Sequence, residues 1–145
     1  GETINMTSDF YNTGNNVSYA LRYKGTDMVS AWKYELLNYK TNTCHIKITS
    51  RNVAPSIIID SITVNNGAFW TTGNENDIVR CFPASGFYYY NIKRQGIEGY
   101  FRSTTVSSSN PTASALYMYF DSGTARSYST YMQTRTSVRL FVNTD

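Results

Sequence analysis

Histidine, charged residues and long apolar runs are scarce in this sequence, and each scarcity excludes a class of protein. Only one histidine, His45, is present, and 16% of the 145 residues are charged. No apolar run approaches the length of about 18 residues that a membrane-spanning helix needs. The basic residues behind the formal net charge of +3 are scattered along the chain. Because a nucleic-acid surface needs clustered cations, we expect no nucleic-acid partner.

Enzyme and metal motifs are also lacking. The sequence has no Gly-rich phosphate loop, no GxSxG and no HExxH. His45 lies on the polar side of a predicted strand, and the sequence places no nucleophile or carboxylate beside it. One histidine and two cysteines do not have the spacing of a zinc site. We therefore expect no catalytic residue, no metal ion and no cofactor.

The two cysteines, Cys44 and Cys81, leave one question open. They do not form a CxxC pair. A disulfide between them fits an exported protein, whereas two buried thiols are equally ordinary. The sequence does not choose between these alternatives.

Tyrosine is the residue present in excess. The 13 tyrosines stand in a chain that is 41% hydrophobic and also rich in Asn, Ser and Thr. This composition is typical of a soluble, extracellular, β-rich domain, and the aromatic content excludes disorder. With no linker or repeat, residues 1–145 are most simply a single domain. We predict an α+β fold that is strongly β-rich, with one or two short helices.

Alternating polar and apolar residues predict strands along much of the chain. SYALRYK is one strand, and SAWKYELLNY is another because its aromatic residues favour a strand over a helix. CHIKITSR alternates cleanly, which predicts a half-buried strand with Thr49 on its polar side. DIVRCFPASGFYYY reads as a strand that is broken at Pro83 and followed by a further aromatic segment.

The stretch from Pro55 to Trp70, PSIIIDSITVNNGAFW, predicts one short helix. Pro-Ser is a start signal and Asn-Asn-Gly is a stop signal. In such a helix, an apolar stripe would consist of Ile58, Ile59, Ile62 and Phe69. The β-branched residues argue against a longer helix.

The last third of the chain predicts two strands that present polar aromatic residues. A polar loop, Thr104–Ser114, precedes the strand ALYMYF, in which Tyr117 and Tyr119 share one side. A turn at DSG follows. In YMQTRTSVRLFV, Val138 and Leu140 set the core side, so that Tyr131, Gln133, Arg135 and Arg139 share the outer side.

Four ordered elements of the C-terminal half carry a resemblance to a known family. They are Phe82-Pro83-Ala84-Ser85-Gly86, Gly99-Tyr100-Phe101-Arg102-Ser103-Thr104, the strand Ala115–Phe120, and Ser137-Val138-Arg139. In this order they resemble the Fibrobacter succinogenes major paralogous domain of Bacteroidetes surface lipoproteins. The resemblance implies a C-type-lectin-like fold. The same fold and landmarks occur in target proteins of diversity-generating retroelements, which vary exposed positions to bind different ligands.

The N-terminal half is similar to the region that precedes this domain in fimbrillin-like surface proteins. The similar stretches are Tyr19–Glu35 and Ile57–Trp70. Together the two resemblances imply an extracellular location at the bacterial outer-membrane surface. We expect the chain to be the C-terminal part of a larger surface protein, attached to a membrane only through a lipid anchor outside this sequence.

Three residues depart from the family pattern, and two of them change the side chains that the domain exposes. Phe101 stands in place of the family's Trp, Arg102 in place of its first Ser, and Arg135 in place of a Gly. The two arginines suit a tuned binding surface and are equally compatible with drift. The Glu-Pro-Asn, Gln-Pro-Asp and Trp-Asn-Asp motifs of calcium-dependent lectins are absent, so we expect no lectin-type calcium site.

These considerations predict a ligand-binding surface. Tyrosine offers a large contact area with a polar end, and arginine suits planar polar recognition. The predicted site consists of Arg102, Tyr117, Tyr119, Tyr128, Tyr131, Gln133 and Arg135. The alternative is that cross-strand tyrosines only stabilise a sheet, and we favour that interpretation for Tyr88, Tyr89 and Tyr90.

The sequence thus predicts a non-catalytic cell-surface adhesion module that presents a Tyr/Arg-rich face to a glycan or protein on another cell or matrix. One alternative is a structural assembly module of a fimbria-like fibre. Another is a retroelement-diversified receptor-binding domain.

Overall fold

The computed structural model describes residues 16–23, 25–106, 114–131 and 135–136, which form a β-rich protein with two short helices. The chain divides into two compact units. The first contains the residues up to Leu37 together with Ile46–Phe82. The second contains Asn38–His45 and the chain from Pro83 onward.

A four-stranded sheet forms the frame of the first unit. Its strands are β1 (Val17–Arg22), β2 (Ser30–Leu37), β3 (His45–Asn52) and β4 (Asp77–Pro83), in the order β1-β2-β3-β4. β1 and β2 are antiparallel, with Arg22 opposite Ser30. The predicted strands are confirmed, including the segment SAWKYELLNY, for which the aromatic residues favoured a strand.

The predicted short helix is present as two helices, α1 (Ser61–Asn65) and α2 (Ala68–Thr71). Asp60 is the N-cap of α1, since its Oδ1 accepts hydrogen bonds from the Thr63 backbone N at 2.8 Å and the Thr63 hydroxyl at 2.7 Å. Capping of this kind satisfies amide groups that the first turn leaves without partners.

The predicted apolar stripe along this segment is wrong. Ile58 is 100% exposed and Ile62 is exposed as well, while Ile59 and Val64 are buried. The reason is that α1 begins only after Asp60, so Ile58 and Ile59 precede the helix and do not follow its periodicity. Only Val64 faces the core from α1.

The core of the first unit joins the sheet to the helices. Its buried members are Leu21, Val29, Ala31, Val53, Ile59 and Val64, with Tyr19, Phe69 and Trp70 packed against them. Burying a large apolar side chain contributes about 1.5–3 kcal/mol. Trp70 also donates its indole N–H to the Val64 carbonyl at 2.9 Å, which fixes α2 against α1.

The alternation predicted for β3 holds only in its first half. Ile46 is buried and Lys47 is half-exposed, but Thr49, Ser50 and Arg51 are buried in succession. The placement of Thr49 on a solvent-facing side is therefore wrong. Since consecutive residues are buried, both faces of this half of the strand are covered. α2 contributes to this cover, and the Arg51 guanidinium donates a hydrogen bond to its Phe69 carbonyl.

The second unit contains two three-stranded sheets. Their strands are β5 (Phe87–Tyr89), β6 (Asn91–Lys93), β7 (Gly99–Val106), β8 (Ser114–Phe120), β9 (Ala125–Tyr131) and β10 (Arg135–Thr136). The strand orders are β10-β5-β6 and β7-β8-β9. The predicted break at Pro83 is confirmed, because β4 ends there and β5 begins after Gly86.

Two predictions for the last third of the chain are wrong. Residues 104–106 belong to β7, so the polar loop begins later than Thr104. Tyr131 and Arg135 do not share a strand, since β9 pairs with β8 whereas β10 pairs with β5. Gln133, Val138, Arg139 and Leu140 lie outside the described residues.

The two cysteines differ in environment, and no disulfide joins them. Cys44 is buried, and burial raises the pKa of its thiol, although a backbone hydrogen bond from Lys40 acts in the opposite direction. Cys81 lies exposed on β4. The Cys44 thiol therefore stays protonated and unreactive at neutral pH.

Candidate functional site

A cluster of tyrosines lies on one face of the β7–β8 pair. Tyr100 is directly opposite Tyr119, and Arg102 is opposite Tyr117. Directly opposed residues lie on the same face of a sheet. The Tyr100 ring centroid is 5.0 Å from that of Tyr119 and 5.5 Å from that of Tyr117.

This cluster is more buried than the sequence predicted. Tyr117 is only 7% exposed, which corrects the expectation that it stands outward. Tyr100 and Tyr119 are half-buried. Phe87 of β5 packs edge-on against Tyr100 with a centroid distance of 5.1 Å, which covers part of the cluster from outside.

The two half-buried tyrosines donate their hydroxyls to carboxylates. The Tyr100 hydroxyl donates to Glu98 Oε2 at 2.6 Å, and the Tyr119 hydroxyl donates to Asp121 Oδ2 at 2.5 Å. Burial raises the pKa of both phenols well above the usual range, and the carboxylate partners raise it further. Both groups therefore remain neutral donors, and neither is suited to act as a base.

Asp121 also organises the turn predicted at DSG, which is confirmed. Its Oδ1 accepts from the Gly123 backbone N at 2.7 Å and from the Thr124 backbone N at 2.9 Å. One carboxylate thus fixes both the turn after β8 and the Tyr119 ring. This arrangement indicates a structural role for the Tyr119 hydroxyl.

Of the remaining residues of the predicted site, the strand register places Arg102 and Tyr128 on the same face as Tyr117, whereas it separates Tyr131 and Arg135 from them. In register, Tyr128 is opposite Tyr117 and Tyr131 is opposite Ser114. Tyr128 and Tyr131 are three residues apart along β9, so they occupy register positions of opposite parity. Arg135 belongs to the other sheet, where it pairs with Tyr88. Arg102 is half-exposed on β7 beside Tyr117.

Among the residues of the second unit whose exposure the structure describes, the most exposed aromatic side chains lie on the hairpin formed by β5, Tyr90 and β6. We call this segment, Phe87–Lys93, the tyrosine hairpin. Tyr88 and Tyr89 are exposed, and Tyr90 at the tip is 86% exposed. Ile92, directly opposite Tyr88, is exposed too.

The sheet-stabilising interpretation of these three tyrosines leaves them out of the predicted site. A signal for their exposure was present in the sequence. Three consecutive aromatic residues cannot all lie on one face of a strand, because successive side chains point to opposite faces. Phe87 takes the covered face by packing on Tyr100, and the tyrosines that follow extend beyond it.

The backbone of the tyrosine hairpin is held in an uncommon conformation. Tyr90 has φ 61°, and Arg94, the first residue after the hairpin, has φ 59°, both in the left-handed region that bulky residues seldom adopt. Such conformations persist when the surrounding structure determines them, and they concentrate at functional sites. The Tyr89 and Tyr90 rings meet edge to face at a centroid distance of 4.6 Å.

A close contact fixes the base of the tyrosine hairpin. Gly86 has φ +66°, and a Cβ at this position would lie 2.0 Å from the Lys93 carbonyl oxygen. The Gly86 backbone N donates to the Glu98 carbonyl at 2.8 Å, and Gly86 forms a parallel bridge with Gly99. The hairpin is therefore anchored directly beside the tyrosine cluster of β7 and β8.

Basic and amide side chains follow the exposed tyrosines in the sequence. Asn91, Lys93 and Arg94 are exposed, and residues 87–95 contain no acid. The Arg94 Nε lies 3.6 Å from Glu98 Oε1, a long ion pair in which Arg94 is well exposed. The tyrosine hairpin thus offers aromatic faces, amide groups and cations together.

No cluster suited to hold a metal ion is found in the described part of the chain. The His45 Nδ1 lies 2.8 Å from the Thr43 carbonyl oxygen, within hydrogen-bond distance of a backbone group. Among the same residues, neither helix approaches the length and apolar character required to cross a membrane.

Comparison with known sequences and structures assigns the chain to a family. A family model described as "Domain of unknown function (DUF8237)" matches residues 1–141. Because the match covers nearly the whole chain, the protein belongs to this family. The curated proteins contained no match, and neither did the solved structures.

Proposed function

We propose that this protein is a non-catalytic ligand-binding module and that the tyrosine hairpin is its contact surface. The observation that carries this proposal is the exposure of Tyr88, Tyr89 and Tyr90 on a turn with an uncommon backbone conformation. Contiguous exposed apolar surface commonly marks an interaction site.

The geometry favours binding because the tyrosine side chains lose little conformational entropy when a ligand binds. Tyrosine has few rotatable bonds, so immobilising its ring costs little entropy. The anchored base at Gly86 and the edge-to-face contact of Tyr89 with Tyr90 hold the rings before binding. Preorganisation of this kind raises affinity by lowering the cost of ordering.

The chemistry of the hairpin favours a glycan as ligand. A tyrosine face stacks on the apolar face of a sugar, and its hydroxyl can exchange hydrogen bonds with ring substituents. Asn91, Lys93 and Arg94 add donors around the rings, and the segment has no acid that would repel a carboxylate or sulfate. We therefore expect acidic glycans to bind more tightly than neutral ones. Binding of a protein ligand in place of a glycan is the alternative result.

A binding screen tests the proposal. The purified chain is screened against neutral and acidic glycans, mucin and matrix proteins, with and without a calcium chelator. We expect a chelator-insensitive hit whose affinity falls by about tenfold or more in Tyr90→Ala, since single aromatic contacts at hot spots contribute about 2 kcal/mol or more.

Tyr23 provides the matched control. It is an exposed tyrosine with φ 57° in the first unit, so Tyr23→Ala makes the same chemical change in the same backbone region. Its affinity should equal that of the wild type. A hit that Tyr90→Ala and Tyr89→Ala leave unchanged, with both variants folded, would show that the tyrosine hairpin is not the binding surface.

The proposal extends to a C-type-lectin-like fold and display on a bacterial cell surface. Supporting it, the second and third motifs of the resemblance, Gly99–Thr104 and Ala115–Phe120, lie on the paired strands β7 and β8. The first motif, Phe82–Gly86, leads directly into the tyrosine hairpin. Protease treatment of intact cells tests the location, because a surface-displayed protein is removed while cytoplasmic proteins are spared.

A further inference from the structure

The first unit contains a groove whose lining comes from two connecting segments. Residues 25–29 lie between β1 and β2, and residues 55–59 lie between β3 and α1. The volume of the groove is about 380 Å³. Pockets that hold small molecules have volumes of about 300–1,000 Å³, whereas a stable protein interface covers about 800 Å² on each partner. The size of the groove therefore favours a small molecule as its occupant.

The lining of the groove is mostly aliphatic. Val29 and Ile59 are buried members of the core of the first unit. Ile57 and Ile58 also line the groove, and both are exposed to solvent. An aliphatic ligand would remove part of these two exposed side chains from water, which is favourable in proportion to the apolar area buried. The groove therefore suits the aliphatic part of a ligand.

Hydrogen bonds hold the lining in place. The Thr26 hydroxyl donates to the Tyr23 carbonyl at 2.8 Å and accepts from the Met28 backbone N at 3.2 Å. The two segments of the lining are joined at the base, because the Val53 backbone N donates to the Val29 carbonyl at 3.0 Å. The groove is therefore formed before a ligand binds, which lowers the entropy cost of binding.

A single carboxylate gives the groove its charge preference. Among the described residues that line the groove, Asp27 alone carries a charge. Its side chain is exposed, and no cation of the described residues forms an ion pair with it. A carboxylate beside aliphatic surface attracts a ligand cation and repels an anion. The complementary ligand therefore combines an aliphatic chain with a positive charge.

We propose that this groove binds a small aliphatic amine. The aliphatic chain lies against Ile57 and Ile58, and the ammonium group pairs with the Asp27 carboxylate. An alcohol of the same chain length lacks the charge, and a carboxylate has the wrong charge. The three compounds therefore bind in the order amine, alcohol, carboxylate. The proposal is independent of ligand binding at the tyrosine hairpin.

Titrations with three probes of equal chain length test the proposal. n-Hexylamine, 1-hexanol and hexanoate are each added to the full chain, and the isoleucine methyl signals are followed by NMR. We expect saturable shifts of the Ile57 and Ile58 signals. At low salt n-hexylamine should bind about fivefold more tightly than 1-hexanol, which is the upper end for an exposed ion pair. This difference should shrink at about 1 M salt, because salt screens exposed charges.

Four variants at exposed positions separate the two parts of the site. Asp27→Asn should lower the affinity for n-hexylamine to that for 1-hexanol, whereas Glu75→Gln, which removes an exposed carboxylate outside the groove, should not. Ile58→Ser should weaken the binding of both compounds by about threefold or more, because it removes apolar contact area. Ile62→Ser, at an exposed isoleucine outside the groove, is its matched control and should leave both affinities unchanged.

Three results would overturn the proposal. The first is that none of the three probes gives saturable shifts of the Ile57 and Ile58 signals. The second is that 1-hexanol or hexanoate binds as tightly as n-hexylamine at low salt. The third is that folded Asp27→Asn binds n-hexylamine with the affinity of the wild type.

Discussion

Arg51 and Asp77 form a bidentate ion pair that joins β3 to the start of β4. The Arg51 Nε lies 2.7 Å from Asp77 Oδ1, and Nη2 lies 2.8 Å from Oδ2. The remaining donors of Arg51 bond the carbonyls of Phe69 and Thr72, at 2.5 Å and 3.0 Å. Its guanidinium also lies over the rings of Phe69 and Trp70, 4.8 Å and 5.2 Å from their centroids. One side chain therefore ties α2 and the following loop to the sheet.

Removing the charge of Asp77 should destabilise the protein strongly. In Asp77→Asn the buried Arg51 guanidinium loses its counter-ion, and breaking one partner of a buried pair costs about 3–5 kcal/mol. Urea unfolding measures the loss. Arg94→Ala is the control, because the Arg94–Glu98 pair is long and its arginine is exposed, so that the cost should be below about 1 kcal/mol. Equal losses in the two variants would contradict the assigned role of Arg51.

The same pair predicts the stability of the protein in acid. The hydrogen bond from Arg51 lowers the pKa of Asp77 in the folded state. The unfolded carboxyl titrates at about 3.9. The stabilisation is therefore present above that value and is lost as the pH falls through the folded pKa. Unfolding free energies measured between neutral and acidic pH should fall more steeply for the wild type than for Asp77→Asn.

The tyrosine cluster predicts how the stability of the protein changes at alkaline pH. The raised pKa values of Tyr100 and Tyr119 mean that the folded state keeps both phenols protonated. Stability from these groups is fully present below the unfolded pKa of about 10 and is lost as the pH rises above it. In a phenolate absorbance titration, Tyr100 and Tyr119 should ionise only when the protein unfolds. Tyr119→Phe should reduce by one the number of tyrosines that ionise only on unfolding, and an unchanged titration would contradict the prediction.

Gly86 should tolerate no side chain. A Cβ there would lie 2.0 Å from the Lys93 carbonyl oxygen, and the backbone must move to admit it. Gly25 is the matched control, with φ +82° and no atom within 4 Å of a Cβ. Gly25→Ala should therefore cost only the backbone strain of about 1–2 kcal/mol, whereas Gly86→Ala should cost more and should also weaken ligand binding at the tyrosine hairpin. Thermal unfolding and the binding assay measure the two effects, and equal unfolding losses would count against the close contact.

Predictions from local pattern succeeded where each residue's environment is set by its neighbours in sequence. The strands β1, β2 and β4, the break at Pro83 and the turn at DSG all follow from alternation or from turn-forming residues. The prediction for Thr49 failed because coverage of the second face of β3 is not encoded in the alternation of β3 itself.

The candidate site was predicted less well than the strands. Alternation placed Tyr117 and Tyr119 on one side of β8, but it could not show that Tyr100 from β7 and Phe87 from β5 pack nearby. These contacts bury Tyr117 and occupy that face. Pairing between strands also separated Arg135 from Tyr131, since a single sequence contains no information on which strand becomes a neighbour.

The amino-acid sequence is enough to predict a β-rich chain with short helices, because period-two alternation and turn residues act over a few positions. It also determined an abundance of tyrosine. Which tyrosines are exposed follows from the folded protein and not from local pattern. Exposure depends on the elements that pack against each strand, and such contacts join residues far apart in sequence. For that reason Tyr117, on a clearly alternating strand, is buried, whereas Tyr90 at the tip of its hairpin meets solvent.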